Sequence, residues 1–116
     1  MSQVTRVNVA KRLSDMAVYN GVAYLAGKVA EDATQDITGQ TVQILAAIDK
    51  LLATAGTDKT RLLMVQIFVA NMKEYDGMNQ AWDAWVPAGH APPRATIEAR
   101  LATADYKVEI VVTAAV

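Results

Sequence analysis

The segment Leu62 to Ala70, LLMVQIFVA, is continuously apolar except for Gln66, and no other run constrains the fold as strongly. It is short and carries β-branched residues, which favours a buried central strand over a helix. A strand without a polar face needs cover on both faces, and few helices are available to supply it. From about Ile37 to Ala55, the positions Thr41, Leu45, Ile48, Leu52 and Ala55 recur every three or four residues, with Asp36 or Thr34 as the expected cap and Gly56 as the stop. From Lys73 to Val86, Met78, Trp82 and Trp85 fall at i, i+4 and i+7 and predict a second amphipathic helix that ends before Pro87-Ala88-Gly89.

The remaining segments read as extended. Leu13 to Tyr19 and Val22 to Ala26 flank Asn20-Gly21, a dipeptide suited to a type I′ hairpin turn, and a short strand is expected before them around Thr5 to Val9. Ala95, Ile97, Ala99 and Leu101 alternate with Arg94, Thr96, Glu98 and Arg100, giving one apolar and one polar face. Val108, Ile110 and Val112 alternate in the same way with Lys107, Glu109, Val111 and Thr113. The order is strands, helix, strand, helix, two strands, with no repeat or linker. Two helices cannot cover both faces of such a sheet, so they are expected to pack on one side and leave the other to a neighbouring chain. The expectation is one α+β domain over residues 1–116, a two-layer sandwich of a mixed sheet with two helices on one face, completed by oligomerisation. Composition agrees: 116 residues suit a single core, and a chain that is 53% apolar or aromatic has greasy surface to cover.

Charge and residue types narrow the function. Eleven basic and twelve acidic residues leave a net charge of -1 without Lys/Arg clustering, so nucleic acid is not an expected partner. No apolar run approaches the roughly 20 residues that span a bilayer, and MSQVTRVNVAKR lacks the apolar middle of a signal peptide. With no cysteine, these features lead us to expect a soluble cytoplasmic protein. No nucleophile elbow, phosphate-binding glycine loop or HExxH pattern is present, and one histidine with scattered carboxylates does not suggest a metal site. No cofactor is expected.

What stands out is Arg94, placed directly after Pro92-Pro93. Two prolines hold the chain extended, so the guanidinium starts its strand from a rigid lead-in and can grip a carboxylate with two parallel hydrogen bonds. On the arrangement alone, an ion pair of Arg94 with Glu98 or Glu109 on a solvated face is the simpler reading. Glu109 lies on the polar register of the last strand and would approach Arg94 if the two C-terminal strands pair; there it could act on a water as a base or form an ordinary cross-strand ion pair. His90, in a Gly/Ala/Pro loop, reads as an exposed turn residue. The Met78, Trp82 and Trp85 stripe reads as core, and Lys11, Arg12, Lys59 and Arg61 as dispersed surface charge.

PPRATIEARLA followed by YKVEIVVTAA resembles the C-terminal signature of the RidA (YjgF-related) family, with its P-x-R, the strand that follows, and a K-[IV]-E-I strand near the end. NGVAYLAGKVAED resembles the family's second-strand hairpin, GQTVQILAAIDKLLATAG its first helix and MNQAWDAWV its second. The AWDAWV, GHAP-x-R and YKVEI runs are shared with its short YoaB-like branch. The resemblance spans nearly the whole chain and implies a chorismate mutase-like α+β fold, a homotrimer, and ligand clefts between subunits. It implies a hydrolytic deaminase of 2-imino acids, in which Arg94 holds the substrate carboxylate and Glu109 lies near the imine and its water. Thr96 falls where backbone groups line the cleft, Asn79 matches a polar residue of the second helix, and Gly27 matches the glycine closing the second strand. Leu13 and Ala26 depart from the pattern, standing where an aromatic hydroxyl and a serine are usual, which makes the cleft more apolar. The other readings are a non-catalytic trimer that binds a small carboxylate and, last, a ribonuclease, against which the net charge and the lack of a basic aromatic face stand.

Overall fold

The computed structural model describes residues 3–116. Local chemistry sets the element boundaries. Asn20 and Gly21 take φ of 50° and 76°, the pair of positive values a type I′ turn requires, and join β2 (Met16–Tyr19) to β3 (Val22–Leu25). The helix α1 (Ile37–Thr54) starts at Asp36, whose carboxylate accepts from the Gly39 amide at 2.8 Å. It ends in a Schellman motif, with Gly56 at φ +78°, the Gly56 amide donating to the Ala53 carbonyl and the Thr57 amide to that of Leu52. A 3-10 turn over Met72–Glu74, capped by Asn71, leads into α2 (Tyr75–Trp85), so the second helix begins two residues later than its periodicity predicts.

The sheet has six strands in the order β1-β2-β3-β6-β4-β5, adding β1 (Thr5–Val7), β4 (Leu62–Val69), β5 (Arg94–Glu98) and β6 (Val108–Ala115). Only β4 and β5 run parallel; the other pairs are antiparallel. The result is the expected α+β architecture, a mixed sheet with two helices packed against each other on one face. Ile44, Ile48 and Leu52 of α1 and Met78 of α2 meet Val65, Ile67 and Val69 of β4 and Val108, Ile110 and Val112 of β6, and all are essentially inaccessible to water. Gln40 is buried with them. Its Nε2 lies within hydrogen-bonding reach of the carbonyls of Ala33, Gln35 and Asp105, and its Oε1 accepts from the Lys107 amide, which fastens the start of β6 to α1.

One expectation is met here and one is corrected. As the two helices imply, the apolar run of β4 is covered on one face only: Met64 remains 39% exposed on the other, which also carries Tyr24 (52%) of β3 and Ile97 (47%) of β5. The shortest dimension of the molecule is 20 Å, about that of one sheet with one helix layer. The alternation of β5 is turned the opposite way from an ordinary solvated strand. Arg94 and Thr96 align with buried Val65 and Ile67 and face the helices, while Ala95 and Ile97 lie on the bare face. The strand stops at Glu98, and Leu13, expected in the second strand, sits in the loop before it.

Ile48 is fully buried between α1 and the sheet. Ile48→Ala is expected to lower unfolding stability by about 3 kcal/mol through lost burial and the cavity left behind, read as a lower urea midpoint at unchanged slope.

Candidate active site

Arg94 is positioned from both sides. The Pro93 carbonyl accepts from the Val65 amide at 3.0 Å, which locks the start of β5 onto β4 and aims the Arg94 side chain at α2. There Nη1 donates to Oδ1 of Asn79 at 2.8 Å and Nη2 donates to the Tyr75 hydroxyl at 2.9 Å. The guanidinium carbon lies 5.3 Å from the ring centre of Trp82 and 5.8 Å from that of Tyr75. Tyr75, Asn79 and Trp82 are spaced i, i+4 and i+7 and so share one face of α2. The expected ion pairs with Glu98 or Glu109 do not form. Among the described residues the salt bridges are Lys28 with Asp15 and Lys107 with Glu74, so Arg94 keeps its charge uncompensated.

Arg94, Thr96, Tyr75 and Met72 line a cleft of about 470 Å³. The Ala99 amide donates to the Val69 carbonyl, as the Val65 amide does to Pro93, so odd-numbered residues of β5 turn their backbone toward β4. In a parallel ladder this leaves the Thr96 amide and carbonyl on the open outer edge of the sheet. The Thr96 hydroxyl is buried without a partner among the described residues.

The other predicted residues gather elsewhere. Glu109 pairs across β4 with Phe68, and its neighbours Val108 and Ile110 lie under the helices, so Glu109 projects from the opposite face to Arg94. The two C-terminal strands do not pair, because β4 lies between them, and within one chain Glu109 does not approach Arg94. Its carboxylate packs against Gly27, where a Cβ would collide with Oε2 and lie 3.0 Å from Cδ. Reciprocal bonds between Lys28 and Ile110 hold this contact. Ala26 and Leu13 lie on the wall of a second cavity of about 540 Å³ with Tyr24, Arg6, Lys11 and Arg12. Lys11 and Arg12 are therefore brought together with Arg6 rather than dispersed. Leu13 is 59% exposed on a loop tied down by Asp15, which accepts from Asn8 at 2.8 Å and from Lys28 at 3.1 Å.

Sequence reasoning missed Tyr75 and the contact of Trp82 with Arg94. Their spacing with Asn79 was visible, but the Met78 and Trp82 stripe was sufficiently explained as core, which it also is. Lys59 donates to the Trp85 carbonyl and lies over its ring, while His90 is an exposed turn residue as expected. Among the described residues, no cluster of three or more metal-ligating side chains occurs and no helix is long and apolar enough to cross a membrane.

These features define a two-layer α+β protein with an arginine-centred cleft at the free edge of its sheet. The sequence profile of the family described as Endoribonuclease L-PSP matches residues 4–116. A RutC family protein of Haemophilus ducreyi is 54% identical over 113 residues, 97% of each chain. The RutC family protein YoaB of Escherichia coli is 42% identical, covering 97% of this chain and 98% of its own. A crystal structure of a YjgF family member from Neisseria meningitidis, 40% identical, superposes with a TM-score of 0.95 over 97% of this chain and 94% of that one. The chain belongs to the Endoribonuclease L-PSP family, the RidA and YjgF family whose signature its C-terminal third carries.

The hydrogen bond from Asn8 and then the bond from Lys28 hold the Asp15 carboxyl below its usual range. A depressed carboxyl contributes stability at pH values above about 4, its unfolded value, and that contribution disappears as pH falls through the lower folded value. The stability gap between the native chain and Asp15→Asn is therefore expected to be constant near neutrality and to close below about pH 4, as measured by urea midpoints across pH. A gap that widens on acidification would show the sign to be wrong.

Proposed function

We propose that the chain is a hydrolytic deaminase of reactive 2-imino and enamine acids such as 2-aminoacrylate, acting in the cytoplasm as a homotrimer of single-domain subunits. The observation that carries this reading is the partly buried Arg94 guanidinium, held by two neutral oxygens and facing an open cleft with no carboxylate partner among the described residues. Such a group is prepared for an anionic ligand. The placement of Arg94 and Glu109 on opposite faces of one sheet supports a cleft shared between copies, with Arg94, Asn79 and Thr96 from one subunit and Glu109, Gly27, Ala26 and Leu13 from the next. The bare sheet face bearing Tyr24, Met64 and Ile97 supplies the apolar surface that assembly needs.

In this reading Arg94 fixes the carboxylate and so places C2 of the iminium acid. Glu109 takes a proton from a water as its oxygen bonds to C2, giving a tetrahedral carbinolamine. The proton passes from Glu109 to nitrogen. Glu109 then takes the hydroxyl proton as the C2–O double bond forms and the C2–N bond breaks, and the departing ammonia picks up that proton, so that ammonium and a 2-keto acid leave. An enamine first gains a proton from water at C3 to become the iminium. Neither metal nor organic cofactor is required. Imine hydrolysis has a low intrinsic barrier, so positioning of substrate and water can supply much of the acceleration.

The apolar side chains of Leu13 and Ala26 on the wall of the second cavity favour one other reading, a trimer that binds a small carboxylate without useful turnover. Freshly generated 2-aminoacrylate separates the two. Deamination predicts faster keto-acid release by the native protein, a return to the spontaneous rate in Arg94→Ala, and a loss of about 100-fold or more in Glu109→Gln with pyruvate binding retained. Binding without acceleration in the native protein would transfer the conclusion to the second reading. A rate untouched by Arg94→Ala would remove both.

A further inference from the structure

The phenol of Tyr75 has a hydrogen-bonding capacity that its contact with Arg94 does not use. A tyrosine hydroxyl accepts and also donates one proton. As acceptor it takes Nη2 of Arg94 at 2.9 Å, and among the described residues no acceptor receives its proton. Tyr75 lines the cleft of about 470 Å³ together with Arg94, whose guanidinium its hydroxyl supports. Asn79 holds Nη1, so the two tethers consume one N–H from each terminal nitrogen and, among the described residues, leave three of the five guanidinium donors without an acceptor. An anion seated on those free donors lies beside the Tyr75 oxygen, whose remaining proton must turn away from Arg94 because its lone pair faces it.

We propose that Tyr75 is a second ligand-binding group of the Arg94 cleft, donating its O–H to the same carboxylate while its lone pair holds the guanidinium in place. The proposal rests on the reading of Arg94 as a carboxylate anchor and adds to it a three-point grip, from two guanidinium N–H groups and one phenol. Its chemical consequence is selectivity. A planar carboxylate offers enough lone pairs for three donors, whereas a carboxamide of the same shape has a single acceptor oxygen and presents an NH2 group to them. The cleft is thereby set to reject neutral analogues of its ligand, and more strongly than a lone exposed arginine would.

Tyr75→Phe tests this with little disturbance, since it keeps the ring that stacks near Arg94 and removes one oxygen. The probes are pyruvate and its neutral amide, pyruvamide, titrated by NMR or calorimetry into the native protein, Tyr75→Phe and Arg94→Ala. Loss of a hydrogen bond to a charged group predicts pyruvate binding about tenfold weaker or more in Tyr75→Phe, with pyruvamide binding unchanged. In the 2-aminoacrylate assay the same variant is expected to raise KM more than it lowers kcat, because the contact exists in ground state and transition state alike. Pyruvate affinity within twofold of native in Tyr75→Phe, with Arg94→Ala no longer binding, overturns the role of Tyr75 and leaves the anchor intact. Equal weakening of pyruvate and pyruvamide overturns it too, because that is the pattern of a merely structural hydroxyl. Full affinity in Arg94→Ala overturns the anchor itself.

Discussion

The hydrogen-bonded but one-sided burial of β4 governs the rest of the molecule. The strand is paired on both edges, parallel to β5 and antiparallel to β6, so its backbone is satisfied throughout most of its length. Its side chains are not equally provided for. Val65, Ile67 and Val69 are sealed under the helices, while Met64 and half-buried Phe68 lie on a face that no described element covers. The two helices are already committed, to each other and to one side of the sheet. At about 25 cal/mol per Å² of apolar surface, a bare six-stranded face is a strong drive toward association.

The same central strand decides which residues can meet. By standing between β5 and β6 it separates Arg94 from Glu109 across two strand spacings, roughly 10 Å, and the pleat sends them to opposite faces. Each is then fixed by its own surroundings: Arg94 by the paired prolines and α2, Glu109 by Gly27 and by Gln40, which holds the amide of Lys107 two residues upstream. Both groups are set before any ligand arrives. In the proposed trimer, these two groups would be half-sites, each copy presenting one to each neighbour so that a ring of copies completes the clefts.

Much of the fold was legible in the residues because the signals were local. Asn20-Gly21, Asp36 and Gly56 act within a few positions of themselves, and the helical periodicity around Ile48 leaves little alternative. The path of β4 between the C-terminal strands was not legible, since strand order depends on pairings far apart in sequence. The pairing of Arg94 with Glu98 or Glu109 failed for that reason and for another: the alternation of Arg94 and Thr96 with Ala95 and Ile97 fixes two faces without saying which is inside. Ordinary preference places the polar set outward. Here Asn79, Tyr75 and Trp82, on a helix that precedes β5 in the chain, accept Arg94 instead. Spacing on α2 carried that information, but only knowledge of the partner strand makes it readable. Leu13 entered a loop rather than a strand because Asp15, Asn8 and Lys28 tie down a turn ahead of Met16.

The inward-turned arginine is a local departure from what a stable strand would choose, and such departures gather where a protein acts. Withdrawing a cation from water is unfavourable, and proteins commonly offset the penalty with a carboxylate. A carboxylate would also cancel the field. Asn79 and Tyr75 offer neutral oxygens, and Trp82 offers the negative face of a ring, so the guanidinium is solvated by the protein without being neutralised. An anion at about 4 Å from it gains about 4 kcal/mol at the effective dielectric of a protein surface, against about 1 kcal/mol in bulk water. The neutral cradle therefore preserves the attraction that a structural ion pair would have consumed, and holds it at one place and one orientation.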